Sequence, residues 1–268
     1  MNTALKHSLL ALAALLGTTA GHAQLFENFT YANGDITTGS GSAWVRYGTD
    51  NTTPLNISSG MAIINQGTTT AGRADVGRAI GGTFTAAANT TAFVGFDATW
   101  SVLPSNNNGS YFAAFSTAPT ATTFFGRIGA DLSGAATGKF RIAVANASWS
   151  TANSTEFPLD LSLNTAYRVV VEYNLVSQQT TLWVNPTSAA DTHVTATDLP
   201  LTAGVPQADI TAFSLRQGVS SSTGVPGVIA LDNLSVGASF AAVPEPAEYA
   251  ALFGGGLLAF ALLRRRVN

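Results

Sequence analysis

The chain has 268 residues, with 12 Lys+Arg against 15 Asp+Glu and a formal net charge of −3. Charged residues make up only 10% of it, well below the roughly 25% of an ordinary soluble domain. Cysteine is absent, which excludes a disulfide framework, a thiolate metal site and a cysteine nucleophile.

The first 23 residues have the pattern of a secretory signal peptide. Lys6 and His7 give a basic start, residues 8–16 are short and apolar, and Gly21-His22-Ala23 places small residues at a cleavage point. The expected organisation is therefore a signal helix at 1–23, one domain at 24–240 and a separate C-terminal segment at 241–268. Signal peptidase is the first expected partner.

Through the middle, apolar residues alternate with polar ones at period two, with turn residues between the runs. Expected strands lie at 43–47, 61–64, 74–80, 93–100, 111–115, 123–128, 140–145, 167–174, 180–184, 211–216 and 228–236. In the run at 93–100, Val94, Phe96, Ala98 and Trp100 share one face. No 12-residue window shows a convincing helical period. The expectation is an all-β, two-sheet antiparallel jelly-roll sandwich. One register break stands out. Ile229 and Leu231 have one parity while Leu234 and Val236 have the other, so Asp232-Asn233 should bend or bulge.

Beyond the sandwich, Pro244 and Pro246 interrupt regular structure. Residues 249–263 carry no charge, and Arg264, Arg265 and Arg266 follow. A helix of that length rises about 22 Å, short of the roughly 30 Å hydrocarbon core, so it is a marginal transmembrane helix and a temporary tether. The arginines belong on the cytoplasmic side, which leaves residues 24–243 outside. Pro244-Glu245-Pro246, a short apolar Gly-rich helix and a terminal arginine cluster resemble the PEP-CTERM sorting signal of Gram-negative bacteria. The resemblance covers residues 244–268. It implies an exosortase as partner, processing near the Pro-Glu-Pro motif, and transit through the inner membrane to the cell surface or extracellular matrix.

The sandwich itself resembles the concanavalin A-like, laminin G-like jelly roll. That resemblance is carried by Tyr167 to Tyr173 with Thr181 to Pro186 as a hairpin, by Ala230 to Val236 as closing strand, and by Phe26 to Tyr31 as opening strand. It implies a fold and transfers no binding residue.

Chemistry is harder to find. Retaining glycosidases need two carboxyls about 5 Å apart, yet Glu27, Glu156 and Glu172 are isolated in sequence and Asp97 stands alone on its strand. Of His7, His22 and His193, only His193 lies outside the signal segment, which excludes a multi-histidine metal site after its removal. Asp191, Asp198 and Asp209 offer oxygen ligands for calcium without the clustered spacing such a site uses. No catalytic residue, metal site or cofactor is assigned, and a non-enzymatic envelope or matrix protein is expected. The alternative is a carbohydrate-binding module for extracellular polysaccharide, with exposed Trp149 and Trp183 as sugar contacts. A secreted glycoside hydrolase is the third reading. Residues 24–243 hold eight basic and thirteen acidic side chains, a net −5, which excludes nucleic acid as a partner.

Overall fold

The computed structural model describes residues 24–48, 52–65, 73–104, 110–146, 148–150, 153–198, 208–217 and 227–243. The expected signal helix, Pro244, Glu245, Pro246, the apolar segment and Arg264, Arg265 and Arg266 lie outside these residues. No helix among the described residues is long and apolar enough to cross a membrane.

The described strands are, in chain order, β1 (Leu25–Glu27), β2 (Gly34–Asp35), β3 (Trp44–Tyr47), β4 (Asn56–Ser58) and β5 (Met61–Asn65). Then come β6 (Asp75–Phe84), β7 (Thr91–Val102), β8 (Ser110–Ser116), β9 (Phe124–Asp131), β10 (Arg141–Ala145) and β11 (Thr155–Glu156). The series ends with β12 (Ala166–Asn174), β13 (Gln179–Val184), β14 (Val194–Thr195), β15 (Ile210–Leu215) and β16 (Val228–Gly237). One helical turn, Ile36–Gly39, follows β2.

These strands form two antiparallel sheets. The nine-stranded sheet runs β14-β13-β12-β7-β16-β5-β4-β2, with β1 also paired to β16. The seven-stranded sheet runs β11-β10-β9-β8-β15-β6-β3. The expected all-β sandwich is therefore present, and the opening and closing strands pair directly, Leu25 opposite Val236. The expected hairpin joins β12 and β13, with Asn174 opposite Gln179.

The inner faces are dry. Trp100 lies 5.8 Å from Phe112 and 4.8 Å from Phe140 between ring centroids, so β7 meets β8 and the start of β10 through aromatic side chains. Each such ring contributes roughly 1.5–3 kcal/mol on burial. At the open end of the core, Glu27 is buried and accepts from Trp44 Nε1 at 3.2 Å and Tyr31 Oη at 2.6 Å, and pairs with Arg78. A carboxylate is tolerated there because its lone pairs are satisfied.

The parity break in β16 has the expected consequence. The ladder to β7 shifts between Asp232 and Ser235, and Asn233 has φ 50°. The bulge brings Ile229, Leu231, Leu234 and Val236 all to the core, each fully buried.

The folded chain continues past 240. Phe240–Ala242 forms a 3-10 turn that packs on the outside of the nine-stranded sheet, and Val243 is itself buried.

Candidate functional site

Two outer faces remain once the core is filled, and their side chains differ. On the nine-stranded sheet, Arg168 of β12 is buried, and it points outward beside Gly95 of β7. Its Nη1 donates to Asp97 at 3.3 Å and to the Asn233 carbonyl at 3.0 Å, and its Nη2 donates to the Val243 carbonyl at 3.1 Å. Asp97 is 29% exposed and also accepts from Asn233 Nδ2 at 2.7 Å. Arg168 thus ties β7, the β16 bulge and the C-terminal turn together.

That turn covers Trp183. The indole is only 4% exposed, packed edge-on to Phe240 at 5.5 Å, and donates to the Ala189 carbonyl at 3.3 Å. His193 lies 5.3 Å from the same ring and contacts the Asp191 carbonyl. Trp183, expected to be exposed for sugar contact, is instead a buttress beneath the chain's own C-terminal segment. Trp183 does face away from the core, but Phe240 occupies the space.

Asp191 is consumed by its own turn, accepting from Thr187 N, Ser188 N and both hydroxyls. These bonds hold its carboxyl below the usual carboxylate range. Asp198 accepts from Asn146 N at 2.8 Å, and Asp209 is exposed.

The seven-stranded sheet presents a different surface. Tyr111 of β8 points outward at the centre of an aromatic and cationic group. Arg127 of β9 lies with its Cζ 4.8 Å from the Tyr111 centroid, and Arg216, just past β15, lies at 4.5 Å. Because β8 sits between β9 and β15, the guanidiniums approach from the two flanking strands. Arg216 is braced by Asp75 of β6 at 3.8 Å and donates to Ser110 Oγ at 3.3 Å. Burial lowers the pKa of Arg127, with Arg216 a smaller cause in the same direction.

Two bulges aim this group. Between β8 and β9, Tyr111 pairs with Gly129 and Ala113 with Ile128, so Phe112 is an extra residue, and Phe112 and Ala113 both face the core. On β9 the pairing runs from Phe125 to Ile128 across Gly126, whose φ is +56°. A left-handed glycine at a bulge switches the faces of the residues after it. Without it, Arg127 would share the core side with Phe125.

Trp149 completes the surface. Its ring is 6.5 Å from Tyr111 and lies against the backbone of Gly129, where a β-carbon would strike it. The indole is half-buried.

Toward the far edge lies Asp131, fully buried on β9, in register with Arg141. One oxygen accepts from Ser133 N at 3.0 Å and the other has no hydrogen-bond partner. Burial, followed by the charge of Glu156, raises its pKa to about 7. Two carboxyls that are isolated in sequence are thus brought into one electrostatic neighbourhood by β9 and β11.

No family model matches the chain, and no curated protein matches it. Solved structures do. An alginate lyase superposes with a TM-score of 0.50 at 15% identity, covering 79% of this chain and 95% of that one. A sialidase gives 0.43 at 13% identity, over 82% of this chain and 19% of that one. A lectin complexed with galactose gives 0.40 at 11% identity, over 81% and 99%. The first of these shows a shared fold. It also corrects the expectation of a non-enzymatic domain: the same sandwich carries a carbohydrate-active enzyme, so the absence of a contiguous carboxylate motif is no argument against catalysis.

Proposed function

We propose that this chain is an exported protein whose sandwich engages extracellular polysaccharide through the outer face of the seven-stranded sheet. The observation that carries the reading is Trp149 lying against Gly129 beside Tyr111, flanked by Arg127 and Arg216. A half-exposed aromatic face next to fixed hydrogen-bond donors is what sugar rings require. The alginate lyase that shares the fold takes a polysaccharide by its name, which supports the same class of ligand here. The test is a pull-down of the full chain on a panel of immobilised polysaccharides. Trp149→Ala should abolish retention, and wild-type protein that passes every column unretained would overturn the reading.

Export rests on the two terminal segments. In this reading signal peptidase removes residues 1–23, and an exosortase acts near Pro244-Glu245-Pro246 after residues 249–263 and Arg264, Arg265 and Arg266 have held the chain in the inner membrane. Five residues separate Val243 from the apolar segment, and they reach at most about 17 Å. Val243 is bonded to Arg168, so in this reading the tether follows on from the nine-stranded face. Intact-mass analysis of protein from the native host tests the processing. A mass that still includes Arg264, Arg265 and Arg266 would sink it.

A further inference from the structure

We propose that the Arg127–Tyr111–Arg216 stack is a carboxylate subsite, so that the polysaccharide recognised on this face is built from uronate sugars. This inference rests on the saccharide reading of the same surface and adds its chemical class.

The first argument is geometric. A guanidinium presents a planar fork of N–H donors that matches the two oxygens of a carboxylate. Here two forks are held within 4.8 Å of one ring centroid. The stack lies beside Trp149, 6.5 Å from Tyr111. A pyranose resting on the indole would direct a ring substituent toward Tyr111 and the two arginines. In a uronate that substituent is a carboxylate.

The second argument is electrostatic. Residues 24–243 carry a net −5, so a pair of cations on one ring runs against the balance of the domain. Asp75 partners Arg216 at 3.8 Å. Asp198 acts on Arg127 only at longer range and its carboxylate accepts from Asn146 N. Among the described residues Arg127 enters no ion pair, and its Nε has no hydrogen-bond partner. A desolvated cation next to another cation is an arrangement that an incoming anion relieves.

The contrast with Arg168 sharpens the point. That arginine is buried where Arg127 is partly exposed, and Asp97, two backbone carbonyls and Ser235 take up its Nη donors, while its Nε, like that of Arg127, has no hydrogen-bond partner. Arg168 has a carboxylate partner in Asp97. Arg127 is stacked and left without a carboxylate.

The experiment titrates the full chain with oligouronates of several stereochemistries, each beside its carboxyl-reduced counterpart, and with a sulfated galactan. At least one oligouronate should bind, about tenfold or more tighter than its reduced form, with affinity falling as salt rises. Arg127→Gln should bring the two forms to equal affinity, and Arg127→Lys should keep part of the difference, since the charge survives without the fork. Equal wild-type affinity for carboxylated and reduced sugars overturns the carboxylate subsite and leaves the saccharide reading standing. Preference for the sulfated galactan alone overturns the carboxylate assignment. Binding to none of the sugars, charged or neutral, removes the saccharide reading and this inference with it.

Discussion

The nine-stranded and seven-stranded sheets each place an arginine-centred group on their outer face, and the two groups have opposite surroundings. Arg168 is buried, bonded to Asp97, to Asn233 and to Val243, and roofed by the turn at Phe240–Ala242. Arg127 and Arg216 stack on Tyr111 and are partly exposed. A buried charge is stabilising only when its donors are satisfied. The first group ties the C-terminal turn to the sheet, and the second forms the face proposed to bind saccharide.

If that distinction is right, the largest loss of stability comes from Arg168. Arg168→Met keeps the stem and removes the donors to Asp97, Asn233 and Val243. About 3 kcal/mol should be lost in urea unfolding, less than for a fully buried pair because Asp97 keeps some solvent. A loss no greater than that of Arg127→Gln would erase the contrast between the faces.

The next effect belongs to Asp131 and depends on pH. Its folded pKa of about 7 lies above the ordinary aspartate value of 3.8. Between those values the folded state holds a proton that the unfolded state has released. Stability from this group is therefore full below the lower value and is lost as pH rises toward about 7, at no more than about 1.4 kcal/mol per unit. Unfolding curves at about pH 5 and about pH 8 should show wild-type protein weakening and Asp131→Asn changing less. Identical pH dependence in the two proteins would place the proton elsewhere.

A smaller change tests the roof over Trp183. Phe240→Ala removes a half-buried ring from Trp183 and Phe93 and should cost about 1–2 kcal/mol. Acrylamide quenching should rise at the same time, because Trp44 and Trp100 stay fully buried while Trp183 becomes reachable. Unchanged quenching would mean that some other group seals the indole.

The difference between the faces also explains what could be read from the sequence. Period-two runs located nearly every long strand, and the mismatch between Leu231 and Leu234 revealed the β16 bulge, because core parity is written in apolar residues. The site was hidden by the same rule. Read as plain alternation, Phe125 and Arg127 share a face, and only the left-handed backbone at Gly126 separates them. A glycine between Phe125 and a charged residue is a signal of that switch, visible in retrospect. Trp183 was hidden for a third reason: it faces outward, and its burial depends on where Phe240 returns, which is a long-range contact. Asp131 and Glu156 are 25 positions apart in the chain, and only the order β9-β10-β11 brings them near.

The smallest expected effect on stability is on the face proposed to bind. Trp149 is half-buried and rests on a glycine, and Arg127 is partly exposed without an ion pair among the described residues, so neither anchors the core. Trp149→Ala and Arg127→Gln should each cost less than about 1 kcal/mol, in the range of surface substitutions that break no buried network. Their binding effects should differ in kind. Loss of the indole removes the platform and weakens neutral and acidic oligosaccharides alike, whereas loss of the guanidinium weakens only the acidic ones. A platform acts through contact area, which does not depend on ligand charge, while a guanidinium acts through a carboxylate that a reduced sugar lacks. A variant pair that weakened both ligand classes by the same factor would show that Trp149 and Arg127 support one shared surface structure, and the division into platform and charge would fail.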